Sequence, residues 1–256
     1  MKFELENTTL YQFSISHYCE KARWALDYKG IPYRKINLTP GLHSIVIKRK
    51  AAASTVPVLC FNDQTIQGSD QIIDYLDKLI PVRLLGFSNE SQQEEARALE
   101  HFLDEEVGPL LRSLAYNILF QHRKTLIALW SDQGPFYAKA WLTIAFPFLL
   151  SVLRDAYKTD SCYLQENRQK FEKALNRLDR LYELRPFLVG ERFSRVDLTV
   201  AALLAPLQFP GEHPCPPSIA MPDAYESFCS EHRERSVVRR VTKFYRDYRF
   251  MGTIDS

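Results

Sequence analysis

Near Pro81 the hydrophobic rhythm of this chain changes, and that change limits the possible fold more than any other feature. Before it, short runs with strand-like alternation are separated by stretches of helical spacing. After it, every strongly apolar segment has helical spacing. Residues 8–13 alternate, with Thr9, Tyr11 and Phe13 set against Leu10 and Gln12, and a polar turn at 14–17 follows. Residues 19–29 place Ala22, Trp24, Ala25 and Leu26 at helical spacing among charges, and Gly30 with Pro32 supplies the stop. A second strand is expected at 33–38, then an irregular basic stretch at 39–54 that contains Lys48-Arg49-Lys50. Residues 56–61 read as a strand, Asn62-Asp63 as a turn, and 64–67 as the return strand of a hairpin. Ser69 is placed to cap a helix running to Lys78, with Ile72, Ile73 and Leu76 facing inward. The pattern predicts an α/β domain over 1–81 and leaves its strand order open.

The second half, 90–256, reads as an all-α domain. A helix is expected at 94–107 on the stripe Leu99, Phe102 and Leu103, with Gly108-Pro109 bending or breaking it. Aromatic-rich helices at 110–130 and 136–157 flank a Gln133-Gly134-Pro135 turn, and a further helix at 168–184 lines up Phe171, Leu175, Leu178 and Leu181. Residues 194–207 form another helix, and a proline-rich loop at 206–222 leads to a basic helix ending near Arg249. Ser194 and Asp197 form a capping-box variant, with Phe193 and Leu198 as its hydrophobic staple.

Composition removes several functional classes. With 33 Lys plus Arg against 31 Asp plus Glu, the net charge of +2 gives no broad attraction to nucleic acid or an anionic membrane. A small anion needs only local donors and stays open. The longest apolar stretch, 141–153, contains Pro147 and falls short of the roughly 20 residues that span a bilayer. The opening Met1-Lys2-Phe3-Glu4-Leu5-Glu6 is acidic where a secretory leader would be apolar, so a cytoplasmic protein is expected. Cys19, Cys60, Cys162, Cys215 and Cys229 are scattered, with no C-x-x-C pair and no metal-ligand spacing, which predicts reduced thiols and no metal site.

The segment richest in chemistry is Leu10-Tyr11-Gln12-Phe13-Ser14-Ile15-Ser16-His17-Tyr18-Cys19-Glu20-Lys21-Ala22-Arg23-Trp24-Ala25-Leu26. It compresses strand, turn and helix around a hydroxyl and a thiol. Read alone, Ser16 serves equally as a helix cap and Cys19 as a small buried hydrophobe. Three more segments accompany it: Thr55-Val56-Pro57-Val58-Leu59, Gln67-Gly68-Ser69-Asp70-Gln71-Ile72-Ile73-Asp74-Tyr75-Leu76, and Phe193-Ser194-Arg195-Val196-Asp197.

Together these four segments, in this order across residues 10–200, resemble the cytosolic glutathione transferases, especially the zeta, theta and omega type. The resemblance implies a thioredoxin-like N-terminal domain, βαβ-ββα with a mixed four-stranded sheet, followed by an all-α bundle. It implies glutathione as cosubstrate, a small hydrophobic electrophile as second substrate, and a homodimer. Ser16 falls where these classes keep a catalytic serine or cysteine, and Cys19 where glutaredoxins keep the second cysteine of their pair. Tyr11 is a weaker third candidate, one position out of register. Val56 and a cis Pro57 would hold the cysteinyl backbone of glutathione, and Ser69 its γ-glutamyl carboxylate. Gly68 departs from the usual Glu or Gln, so Gln67 or Asp70 stands in. His43 matches a histidine that contacts the glycyl carboxylate. Tyr116, Trp130, Phe136 and Phe146 are candidates to line the electrophile pocket. Three activities remain open on these residues: a transferase using Ser16, a glutathione-dependent thiol–disulfide reductase using Cys19, and a non-enzymatic interaction module.

Overall fold

The computed structural model describes residues 8–250. The acidic segment Met1 to Glu6, on which the reading of a missing leader rested, lies outside the described residues. β1 (Thr8–Gln12) leads into α1 (His17–Tyr28), and β2 (Arg34–Asn37) returns parallel to β1, the crossover that a parallel pair requires. The stretch expected to be irregular contains a short helix, α2 (His43–Ile47). β3 (Val58–Phe61) and β4 (Gln64–Gln67) form a hairpin that turns at Asn62, and α3 (Ser69–Leu79) follows. β3 runs antiparallel to β1 with Leu10 opposite Leu59, giving the mixed order β2-β1-β3-β4. Local pattern had left this order open, and it agrees with the thioredoxin-like layout.

Strand alternation divides the sheet between two cores. Leu10 and Leu59 join Trp24, Leu26, Ile72 and Leu76 in the main core, whereas Val58 and Tyr11 belong to a smaller cluster with Leu38 and Ile47.

The helical half comprises α4 (Glu90–Phe102), α5 (Gly108–Leu119), α6 (Arg123–Ser131), α7 (Ala138–Ala156), α8 (Ser161–Leu184), α9 (Arg195–Leu204), α10 (Asp223–Ser230) and α11 (Ser236–Tyr248). No helix among the described residues is long and apolar enough to cross a membrane. Three expectations change. Gly108-Pro109 does not break the chain's course, because a π turn over Leu103–Val107 carries α4 into α5 with Gly108 at φ −61 and ψ −50. Gly108 donates to the Leu103 carbonyl five residues back, and in that register the next donor would be the N–H that Pro109 lacks. The freed Asp104 carbonyl instead accepts from the Tyr18 hydroxyl at 2.6 Å. The helix expected at 110–130 is interrupted where Gln121 and His122 donate back to Ile118 and Leu119, a turn with no glycine or proline to announce it. The basic C-terminal helix is preceded by a separate short one, α10.

The two halves are held together through α1, which is buried on nearly every side. Its Glu20, Lys21 and Arg23 are all fully buried. Lys21 pairs with Glu100 and Asp104, each at 2.7 Å. Glu20 accepts from Arg23 at 2.7 Å, from Arg249 at 2.8 Å and from the Tyr245 hydroxyl at 3.2 Å. Burial alone would raise the Glu20 carboxyl, but Arg249 and Arg23 outweigh it and hold its pKa near 2. The folded pKa lies below the unfolded value of about 4.3, so this stabilisation is complete above that pH and is lost as pH falls toward about 2. Glu20→Gln is expected to destabilise the protein by about 3–5 kcal/mol, since two buried guanidinium groups lose their shared anion. Denaturant titrations from neutral to acid pH should then show a flatter acid limb than the parent's; an unchanged limb would refute the assignment.

Candidate active site

The start of α1 is shaped by its own backbone. The Ser16 N–H donates to the Phe13 carbonyl at 3.2 Å, closing a turn, and Ser16 adopts φ −75 and ψ 123, the extended geometry of an N-cap. Its Oγ accepts the Cys19 N–H at 3.3 Å. The half-buried hydroxyl thus caps the helix through one lone pair and also touches the Cys19 thiol. Cys19 is fully buried beneath it, and burial pushes the thiol pKa up against the opposing effects of Arg23 and Ser16. A thiol closed to solvent with its pKa raised is poorly suited to attack a substrate, which weighs against the reading of Cys19 as a catalytic group. Tyr11 packs with the Leu38, Ile47 and Val58 cluster, its ring 4.8 Å from the Lys50 ammonium.

The Val56-Pro57 bond is cis, as the resemblance implied. Ladder pairing of β3 begins only at Val58, so Val56 lies beyond it. The Pro57 carbonyl accepts from the Gly68 N–H at 3.1 Å, tying this step to the start of α3. Gly68, not Ser69, is the N-cap of α3, and its φ of 99 suits glycine, which explains the departure from Glu or Gln. Ser69 is the first helical residue, buried, with no hydrogen bond to its hydroxyl among the described residues. Together with the unpaired N–H groups of the first turn, that hydroxyl makes a carboxylate-accepting corner. Asp70 is exposed beside it.

Two expected ligands are used internally. The Gln67 amide donates to the carbonyls of Ala53 at 2.8 Å and Thr55 at 2.9 Å and accepts from the Ala53 N–H at 3.2 Å, bracing the chain that enters Val56. His43 accepts from the Gly41 N–H at 3.1 Å through Nδ1 and sets its ring edge-on to Phe13. Burial lowers its pKa, with the Ser54 backbone opposing, so it shapes the loop as a neutral ring rather than offering a charge. Lys48, Arg49 and Lys50 are exposed.

Sequence reading missed what the helical half adds. The Ser14 hydroxyl donates to the Asp132 carbonyl at 3.2 Å, Asn37 donates to the Gln133 carbonyl at 2.8 Å, and the Trp141 indole donates to the Pro40 carbonyl at 3.1 Å. The turn between α6 and α7 thus rests on the ends of β1 and β2. These pairs lie about a hundred residues apart, and no local motif signals them. Of the proposed pocket aromatics, Trp130 and Phe146 are buried and the Trp130 indole donates to the Tyr116 hydroxyl at 3.0 Å. Phe136 is 99% exposed, which removes it as a pocket residue.

Comparison with known proteins places this geometry in context. The sequence models of the glutathione S-transferase N-terminal and C-terminal domains match residues 10–83 and 140–226 respectively. No curated protein matches the chain. Among solved structures, beta-etherase LigF from Sphingobium sp. strain SYK-6 superposes with a TM-score of 0.61 at 17% identity, covering 93% of this chain and 99% of that one. A glutathione S-transferase from Rhodospirillum rubrum F11 gives 0.57 at 19% identity over 94% and 99%. One from Methylobacillus flagellatus with glutathione bound gives 0.51 at 18% over 91% and 98%.

The cap of α3 yields a direct test. A Cβ at Gly68 would stand 3.0 Å from Asp70 Oδ1 on a backbone of positive φ. Gly68→Ala is expected to cost about 1–2 kcal/mol in chemical denaturation, and a neutral result would contradict this cap geometry.

Proposed function

Because the chain belongs to the glutathione S-transferase family, we propose that it binds glutathione between the start of α1 and the start of α3 and transfers its sulfur to a hydrophobic electrophile. The observation that carries this reading is Ser16, a half-buried hydroxyl that caps α1 at the positive end of its dipole, where it can turn its hydrogen toward a bound sulfur. The tripeptide lies along Val56 as an added strand, with its γ-glutamyl carboxylate at Ser69. A free thiol is only a few per cent ionised at neutral pH, yet the thiolate is the nucleophile. A hydroxyl donating to sulfur, aided by the helix dipole, favours the anion; a shift of two pKa units requires roughly 2.7 kcal/mol. The thiol proton leaves to water. The thiolate pair then forms a C–S bond while the electrophile's leaving group departs with the electrons of its own bond. The rest of the catalysis is positioning.

The protein is proposed to be a homodimer, by family likeness alone, and light scattering that returned a monomer at micromolar concentration would remove that part.

Ser16→Ala should lower conjugation of a reactive chloroarene about tenfold or more, and raise by about two units the pH at which bound glutathione ionises, read by thiolate absorbance. Ser16→Thr, which keeps the hydroxyl and the cap, should recover most of both. Cys19→Ala should leave conjugation largely intact. The reverse pattern, activity lost with Cys19 and kept without Ser16, would favour the reductase. Failure of immobilised glutathione to retain the protein, with no thioether formed, would favour an interaction module.

A further inference from the structure

Beside the start of α1, two polar side chains have a buried nitrogen without a hydrogen-bond partner. His17, the first residue of α1, is 8% exposed, and its Nε2 has no hydrogen-bond partner. Its ring packs edge-on against Tyr18, centroids 4.5 Å apart, and Tyr18 reaches the Asp104 carbonyl in the π turn that leads into α5. Arg112, on α5, is half-buried. Its Nε is buried and unpartnered, and no hydrogen bond or ion pair of its guanidinium to the protein occurs among the described residues. Its guanidinium lies 4.4 Å over the Tyr157 ring. By contrast, Lys21, Arg23, Arg195 and Arg249 each hold a carboxylate. Of the three acidic residues before α5, Asp104 is already taken by Lys21 at 2.7 Å, and Glu105 and Glu106 are exposed.

A buried guanidinium Nε–H or imidazole nitrogen without a hydrogen bond is costly. Burial, helped by Arg112, depresses the His17 pKa to about 3, so the ring is neutral, and Nε2 donates to a ligand in the tautomer that carries its proton there. The positive end of the α1 dipole adds to the same local field. Next to Arg112 the aromatic rings continue, with Tyr157 against Tyr116 at 5.0 Å and Tyr116 beside Trp130 at 6.1 Å. One corner therefore combines donors suited to an oxyanion with the partly exposed rings of Tyr116 and Tyr157.

We infer that Arg112 and His17 form a carboxylate subsite for the second substrate, so that the acceptor is an aromatic electrophile bearing a carboxylate. This rests on the glutathione reading above, because the subsite adjoins the helix end where the sulfur is activated. Arg112 supplies a planar fork that a carboxylate fits, and His17 supplies a third donor. In this role they determine specificity and take no part in bond making. Glutathione carries carboxylates too, but its γ-glutamyl end is assigned to Ser69.

The test compares para-chloro-meta-nitrobenzoate with the matching benzamide, each rate normalised to its uncatalysed reaction with glutathione, together with calorimetry of the two product conjugates. The parent should favour the carboxylate over the amide by about tenfold to a hundredfold in normalised kcat/KM and in conjugate affinity. In Arg112→Gln that ratio should collapse toward one, and His17→Phe should reduce it by a smaller factor, with circular dichroism verifying the fold of both variants. A parent that conjugates both acceptors without preference overturns the subsite and leaves the transferase reading standing. A preference that persists unchanged in Arg112→Gln also overturns it. If Arg112→Gln weakens glutathione itself as strongly as the carboxylate conjugate, Arg112 serves the tripeptide and the inference fails. If neither conjugate nor glutathione binds the parent, the transferase reading falls and takes this subsite with it.

Discussion

The carboxylate of Glu20 is the junction on which the rest of the molecule depends. Arg23, Arg249 and Tyr245 converge on it, so helix α1 is joined to the last helix of the chain in the fully buried interior. A single buried ion pair often fails to repay its desolvation, but here every charge has more than one partner. Arg249 also holds Asp27 at 2.6 Å. Arg23 continues to Gln12 at 2.7 Å and to the Ser14 carbonyl at 3.1 Å, which fixes the turn that presents Ser16. The same network that binds the two halves together therefore sets the position of the proposed thiol-activating hydroxyl.

Consecutive residues of α1 then answer to different neighbours. His17 and Tyr18 face α5, Cys19 faces the interior, Glu20 faces α11 and Lys21 faces α4. A helix enclosed in this way has little freedom to shift, and its cap residue inherits that rigidity. Preorganisation matters because thiolate stabilisation by one hydroxyl depends on donor and sulfur staying in register. The cap of α3 is held comparably, with Gly68 tied to Pro57 and Gln67 bracing the approach to Val56. Strengthening the frame thus consumes groups that could otherwise touch a ligand, as with Gln67 and His43.

Much of the architecture was legible because it follows from local rules. Alternation identified the strands, helical spacing identified α1, α3 and α9, and the Ser194–Asp197 capping box forms as its residues suggested, with Asp197 also accepting from Leu188 at 2.9 Å. Errors fall where a distant partner overrules local chemistry. Gly108-Pro109 stays helical because Tyr18, some ninety residues earlier, takes up the carbonyl that proline orphans. The charges of α1, on whose burial the sequence pattern is silent, lie beneath α9 and Tyr245 of α11, and their partners come from α4 and the chain's last turns. The break between α5 and α6 has no breaker residue to reveal it.

The candidate site divides along the same line. The amino-acid order by itself determined that a hydroxyl caps a helix after the first strand, that a Val-Pro step precedes the third, and that a serine opens the helix after the hairpin, since each is a matter of a few neighbouring residues. Only the folded molecule decided that the Cys19 thiol is sealed away, that Gln67 and His43 brace loops, and that Arg112 stands unpaired beside His17. Burial and charge pairing are properties of surroundings assembled from remote segments, so no window of sequence contains them.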